Sequence, residues 1–354
     1  MAFATLAPYP RPSNHEVPTL SSRPVLALDL GATQMRAAVV LPDGERIARF
    51  AGTTPVARGP EAIVEAALEL LGRARAAAVP EVAGVIDAVG VATPGPVDPE
   101  RGIVLDPPNL GAAFHDVALA AHVAEATGLE TFLDRDTNVA ALAEGAFGAA
   151  AGSRDYLYLT ISSGIGGAVV TEGRLLTGPD GTAGELGHVA VDIDGPLCGC
   201  GARGHLEAIA SGVALATAAR DAVRAGRSPY LATRAREVGP EALEARDVAA
   251  GDEAADRICR ELMDRARHAL AAACVGFANV FDPERIVIGG AIAEHQGERL
   301  LGPVRAAVST LAFRTVRART RVVAARLGAD VVLAGAQPLV ASRRVRAAGI
   351  AAST

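Results

Sequence analysis

Lysine is absent from the 354-residue chain: all 34 of its basic side chains are arginine. That absence excludes a Walker-type phosphate loop, which needs a lysine on the phosphates, and pyridoxal chemistry, which needs a Schiff-base lysine. Cysteine is scarce, with only Cys198, Cys200, Cys259 and Cys274. A disulfide framework needs a smaller, cysteine-denser chain, so a reducing cytoplasm is expected. The formal charge is -6, with both signs interspersed and no basic stripe, which argues against a nucleic-acid partner. No uncharged apolar run reaches spanning length, so no membrane association is expected. The N-terminus has no charged start followed by an apolar run, as a signal peptide would. Residues 1–23 contain prolines and no periodicity, and read as a flexible arm.

With 50% hydrophobic residues the chain can build a large core, and its length suggests two domains. PVLALDLGATQMRAAVVL at 24–41 reads as strand, tight turn, strand, and a third strand follows at 46–50. Helical spacing over 61–77, a buried strand over 84–92, a helix at 116–127, a strand at 130–134 and a helix over 137–147 continue an α/β alternation. The pattern then restarts: DYLYLTISSGIGGAVVT at 155–171 repeats the strand, glycine-rich turn and strand of 25–40. A helix over 252–280, a strand at 285–289, a helix from about 297, a strand at 322–326 and a closing helix from 333 follow. Two similar halves would leave a cleft between them, a common place for a ligand. Cys259 and Cys274 fall in the helical pattern of 252–280 and read as core.

Three turns have the ingredients of a phosphate cradle. In DLGAT, Gly31 lets the backbone approach an anion, Thr33 adds a hydroxyl donor, and Asp29 at the strand end could hold Mg²⁺ through water. SSGIGG offers Ser163, Gly164 and Gly166. IVIGGAI runs a buried strand into Gly289 and Gly290, where a flat nucleotide could lie against bare backbone. Any one of these is an ordinary turn more often than not; three at strand ends favour a nucleotide cleft.

The stretch GELGHVAVDIDGPLCGCGARGHLE, Gly184 to Glu207, holds two imidazoles, two thiols and two carboxylates. His188, Cys198, Cys200 and His205 are four tetrahedral-type ligands within eighteen residues, which predicts a closed, structural Zn²⁺ site. The metal does not need Glu185 or Glu207, and carboxylates beside a rigid metal knot are placed to accept hydrogen bonds from a polyol. In LDRDTNVAALAE, Asp136 falls where a strand gives way to a helix, an N-cap position. A carboxylate there also points into the cleft of an α/β fold and could take a proton from a hydroxyl as it attacks phosphorus.

Together these residues resemble the ROK family of repressors and sugar kinases. The likeness runs from about 24 to about 345 through DLGAT, PGPVD, the Asp136-to-Asn138 DxN, SGIGG, GELGH, CGCGARGHLE and PERIVIGG. It implies a two-domain actin-like ATPase fold (a duplicated ribonuclease H-like unit) with a cleft between the domains. The smaller domain would comprise 24–136 plus about 335–354, and the larger 137–334. It also implies ATP- and Mg²⁺-dependent phosphorylation of a hexose, glucose or a related aldohexose, most often at the 6-hydroxyl, with Asp136 as general base. Glu185, His188 and Glu207 would hold ring hydroxyls, with Asn109, Arg135 and Asn138 near the sugar, and the three turns would cradle ATP. A homo-oligomer of two or four subunits is expected. Arg135 stands where the family usually has Asn; guanidinium only donates, so if it faces the site an acidic or substituted sugar becomes conceivable. His205 replaces the usual third cysteine, and Gln34 the usual lysine. The alternatives are a sugar-responsive regulator, for which the first 23 residues offer no helix-turn-helix, and a sugar-binding protein without catalysis.

Overall fold

Two five-stranded sheets of the same connectivity organise the chain. In the computed structural model, which describes residue 20 and residues 22–351, the first sheet comprises β1 (Val25–Leu30), β2 (Gln34–Val40), β3 (Arg46–Thr53), β4 (Ala88–Thr93) and β5 (Glu130–Arg135), in the order β3-β2-β1-β4-β5. The second comprises β6 (Tyr156–Ile161), β7 (Ile165–Thr171), the short β8 (Arg174–Leu175), β9 (Arg285–Gly289) and β10 (Arg321–Ala324), in the order β8-β7-β6-β9-β10. In both, the first three strands form an antiparallel meander and the last two add in parallel on the far side of the first. The faint likeness between LALDLGAT and LYLTISSGIGG therefore marks an equivalence of topology.

Strands covered on both faces need apolar residues at every position, and VLALDL of β1 is buried along its whole length. Leu26, Leu28 and Leu30 point into a core shared with Ile63, Ala67 and Leu71 of helix Pro60–Ala77. Val25 and Ala27 point the other way, against Ala336 and Val340 of helix Ala336–Ala351. The second sheet repeats the arrangement: Leu157 and Leu159 face the long helix Arg257–Phe281, and Tyr156 and Tyr158 face Ala140 and Ala141. Those alanines belong to helix Asp136–Ala146, which leaves the end of β5 in the first sheet and packs against the second. Its first turn is thereby fixed between the sheets.

Sequence periodicity merged two helices. The expected helix over 252–280 is Ala245–Glu253 followed by Arg257–Phe281, because Asp256 caps a new start by accepting from the amides of Ile258 and Cys259. The strand expected from 84 begins at Ala88, after a helical turn at Pro80–Ala83. The helix expected from 116 begins at Leu119, since Asp116 has φ 52°. Helices Gly212–Arg224 and Pro229–Val238 were not anticipated. Cys259 and Cys274 are buried in the second core, and burial pushes both thiols up to about 12. Apart from residues 20, 22 and 23, the arm at 1–23 lies outside the described residues. No helix among the described residues is long and apolar enough to cross a membrane.

Candidate active site

Asp136 is the first residue of its helix and not the N-cap; Arg135, in extended conformation, holds that position and makes no side-chain cap. The preference of aspartate for helix starts placed it correctly to within one residue. The difference matters, because the carboxylate engages only the adjacent amide of the helix start and remains open to the space beside it. Its Oδ1 accepts from the Thr137 amide at 2.7 Å, and the group opens on a cavity of about 320 Å³. Burial pushes its pKa up to about 6; the charges of Asp29 and Glu185 add to the rise, while the Thr137 amide and Arg135 oppose it.

That cavity runs from Asp136 and Arg36 past Thr160 and Ser162 to Gly290, with residues of 325–332 as its far wall. A second cavity of about 660 Å³ continues from it, lined by Ser162, Ser163, Gly212, Ala291 and Gln296 among others; Ser162 and Ala291 border both. The turn between β6 and β7 and the Gly-Gly at the end of β9 thus meet at the junction, where the Ser162 hydroxyl accepts from the Ala291 amide at 3.1 Å. Gly290 has φ +90°, and a Cβ there would lie 2.6 Å from the Ile161 backbone. Gly166 brings β7 against Thr137, where a Cβ would sit 2.4 Å from the methyl. Gly164 lies against Glu207, and Gly289 against Ala325. In the first turn, Gly31 donates to the Gln34 carbonyl at 3.1 Å, and Thr33 is exposed.

Sequence reasoning missed Arg36. Asp29 and Arg36 are cross-strand partners in the β1–β2 ladder, and Nε and Nη2 of the arginine both donate to Oδ2, at 2.9 and 2.5 Å. Burial raises the pKa of Asp29, and Arg36 opposes the rise. A pairing of oppositely charged residues about a tight turn was readable from hairpin register alone.

Arg135 does face Glu185, but both terminal nitrogens of its guanidinium are committed, and only the buried Nε lacks a partner among the described residues. The residue is 3% exposed; Nη1 pairs with Glu185 Oε1, while Nη2 donates to the Ala183 carbonyl at 2.6 Å and to Asn138 Oδ1 at 3.3 Å. Asn138 is buried and donates to Asp134 Oδ1 at 2.8 Å, and Asp134 pairs with Arg343 at 2.6 Å. Glu185 keeps an exposed edge. Asn109 is exposed on the loop that follows the short strand Ile103–Val104. Glu207 begins a short helix and accepts from the Ile165 amide at 2.8 Å, which ties it to the glycine-rich turn.

The structure brings His188, Cys198, Cys200 and His205 together. One donor atom from each lies within 4.8 Å of the others, with His188 Nδ1 and His205 Nδ1 at 3.3 Å and Cys200 Sγ at 3.3 Å from His205 Nδ1. Ligands on a tetrahedral Zn²⁺ stand about 3.3–3.8 Å apart. His188 ends the short turn Leu186–His188, whose flanking residue is Glu185.

The sequence profile of the ROK family matches residues 25–343. The glucokinase of Thermotoga maritima is 36% identical over 90% of this chain and 98% of its own. An N-acetylmannosamine kinase of Shigella flexneri is 32% identical over 88% and 98%. The crystal structure of a ROK family glucokinase from Streptomyces griseus in complex with glucose and AMPPNP is 30% identical, covers 89% of this chain and 98% of its own, and superposes with a TM-score of 0.73. Two sheets of one topology, a cleft carboxylate at their junction and a match along nearly the whole chain agree: the protein belongs to the ROK family, as a sugar kinase with the α/β actin-like ATPase fold.

Proposed function

We propose that the protein transfers the γ-phosphoryl group of ATP to the 6-hydroxyl of glucose or a related aldohexose, with Asp136 as general base. The observation that carries this is the placement of Asp136. Its carboxyl, held near pH 6, opens on a cavity that continues past Ser162 and Gly290 into a larger one of base-and-ribose size. A carboxylate with that affinity is ionised at neutral pH, yet basic enough to draw a proton from an attacking hydroxyl. The nucleoside would occupy the larger cavity, with the phosphates over Ser163, Gly164, Gly166, Gly289 and Gly290 on one side and Gly31 and Thr33 on the other. Sequence and sheet boundaries together support a smaller unit of 24–136 plus about 335–354 and a larger one of 137–334. An ADP-release assay with Mg-ATP across hexoses, N-acetylated hexosamines and sugar acids tests the reading; no turnover of any aldohexose removes it.

Glu185, His188, Glu207, Asn109 and Asn138 would border the sugar. The relatives include kinases of both glucose and N-acetylmannosamine, and Arg135 bears on the choice. Its guanidinium is neutralised by Glu185 and has no free fork for a sugar carboxylate, so a neutral sugar fits. Arg135→Ala frees Glu185 and is expected to raise the sugar KM by about tenfold or more, the scale of a charge-assisted hydrogen bond, with the nucleotide KM unchanged. Equal changes in both constants, or in neither, would refute that role.

Mg²⁺ bound with the nucleotide supplies neutralisation of charge on the transferring phosphoryl group. Asp29 would hold it through water, since the two hydrogen bonds it accepts from Arg36 both fall on Oδ2 and leave Oδ1 available. The Cys₂His₂ set fits a structural Zn²⁺ by donor type and by spacing.

A further inference from the structure

We propose that Glu144 is a positioning residue, a carboxylate clamp that holds the wall of the phosphoryl cavity at a fixed place relative to Asp136. Glu144 has no accessible surface, and among the described residues its carboxylate is met by backbone amides and not by a cation. A buried, unpaired carboxylate is expensive unless its lone pairs are taken up. Here backbone amides do this: Oε2 accepts from Ala149 at 2.6 Å, and Oε1 accepts from Arg326 and Leu327, both at 2.9 Å. The chain keeps room for the group: a Cβ at Gly148 would come within 2.1 Å of Oε2.

The amides of 326 and 327 open a strap that walls the cavity through Ala325, Gly328, Ala329, Val331 and Val332. At its other end the strap is tied to the first sheet, where the Ala329 carbonyl accepts from Arg36 at 2.6 Å and Asp330 pairs with Arg49 at 2.6 Å. Glu144 ties the near end to the helix that starts at Asp136, about 12 Å away along the same rigid rod. One helix therefore carries the general base at its first turn and the anchor of the opposing wall at its last. The carboxylate suits this because both its oxygens accept; glutamine has one accepting oxygen and would turn an N–H₂ towards an amide N–H.

This inference rests on the placement of ATP's terminal phosphates in that cavity. The test compares wild type, Glu144→Gln and a control of matched thermal stability, Val304→Ala, which lies in the second core away from the cavity. Glu144→Gln is expected to lower kcat/KM for Mg-ATP at least about tenfold with the sugar KM unchanged, and to speed amide exchange at 326 and 327. The control should do neither. Should the glutamine variant not fold, Glu144→Asp keeps the charge, shortens the reach and is judged by the same criteria. Wild-type kinetics together with fast exchange at 326 and 327 overturns the clamp, as does unaltered exchange at those amides. If AMPPNP with Mg²⁺ leaves exchange over 325–332 of the wild type unchanged, the cavity assignment fails, and the role of the clamp with it.

Discussion

Asp136→Asn is expected to lower kcat by about three orders of magnitude while the dissociation constant for the hexose stays within about threefold of wild type. Asparagine keeps the volume and can still accept from the Thr137 amide, so the helix start and the cavity walls persist. It cannot hold the proton of an attacking hydroxyl. Single-turnover rates and calorimetric sugar titrations separate the two quantities. A variant with near-normal turnover would show that Asp136 is not the base. The pH dependence has a definite sign. The base must be ionised to accept, so kcat/KM should fall tenfold per pH unit below about 6 and level off above it. Stability moves the opposite way. The folded protein holds this proton more tightly than an unfolded chain, whose carboxyl titrates near 3.8. The ionised group therefore destabilises the fold progressively as pH rises from about 4 through 6. Asp136→Asn should thus be more stable than wild type at pH 7, by about 1–2 kcal/mol after screening by the open cleft, and equal to it at pH 4. Denaturant midpoints at the two pH values check this; a destabilised variant at pH 7 would mean that burial does not raise the pKa.

Why Asp136 was found in the sequence, Arg36 was overlooked and Glu144 could not be found follows from where the information lies. A carboxylate at the end of an apolar run, just before a 3.6-residue period, is visible in one local stretch. So are β1, β6 and β9, short and largely apolar runs that end in glycine-containing turns, and the histidine and cysteine spacing of 188–205. Arg36 needed the register of a hairpin, which a reading by turn type leaves unexamined. Glu144 needed contacts from residues more than 180 positions away, and nothing local distinguishes a buried glutamate from one on a solvated helix face. Arg135 lies between these cases. Its departure from the family pattern was legible, but its commitment to Glu185, Asn138 and Ala183 depends on how 183–185 folds back over the end of β5. The break at 254–256 was hidden because Ala, Asp and Glu sit equally well in a helix and beside one.

Removal of the Zn²⁺ proposed for the cysteine–histidine cluster is expected to cost sugar affinity before it costs nucleotide affinity. The segment 189–206 has little apolar surface to hold it: Ile193 is 83% exposed and Leu197 62%. Its backbone bonds are turns and bridges within the loop itself, among them Val191 and Asp192 to the Gly204 carbonyl, Cys198 to Ala202 and Leu206 to Val189. The four side chains that converge within 4.8 Å add the cross-link between the two ends of this loop. For such a loop, metal binding free energy is folding free energy. Two of the ligands adjoin residues proposed to touch the sugar: His188 lies three positions after Glu185, and His205 two before Glu207. Unfolding the knot would release Glu207 from the Ile165 amide and leave Glu185 held only by Arg135. Cys198→Ser, which removes the buried sulfur ligand, should abolish stoichiometric zinc, raise the sugar KM by about tenfold or more, and leave the nucleotide affinity within about twofold. The larger cavity, far along the second sheet, contains none of the four ligands. Metal analysis on the purified protein together with paired titrations decides the matter: a metal-free protein that binds hexose as tightly as the native one would show that the cysteine–histidine cluster does not support the sugar site.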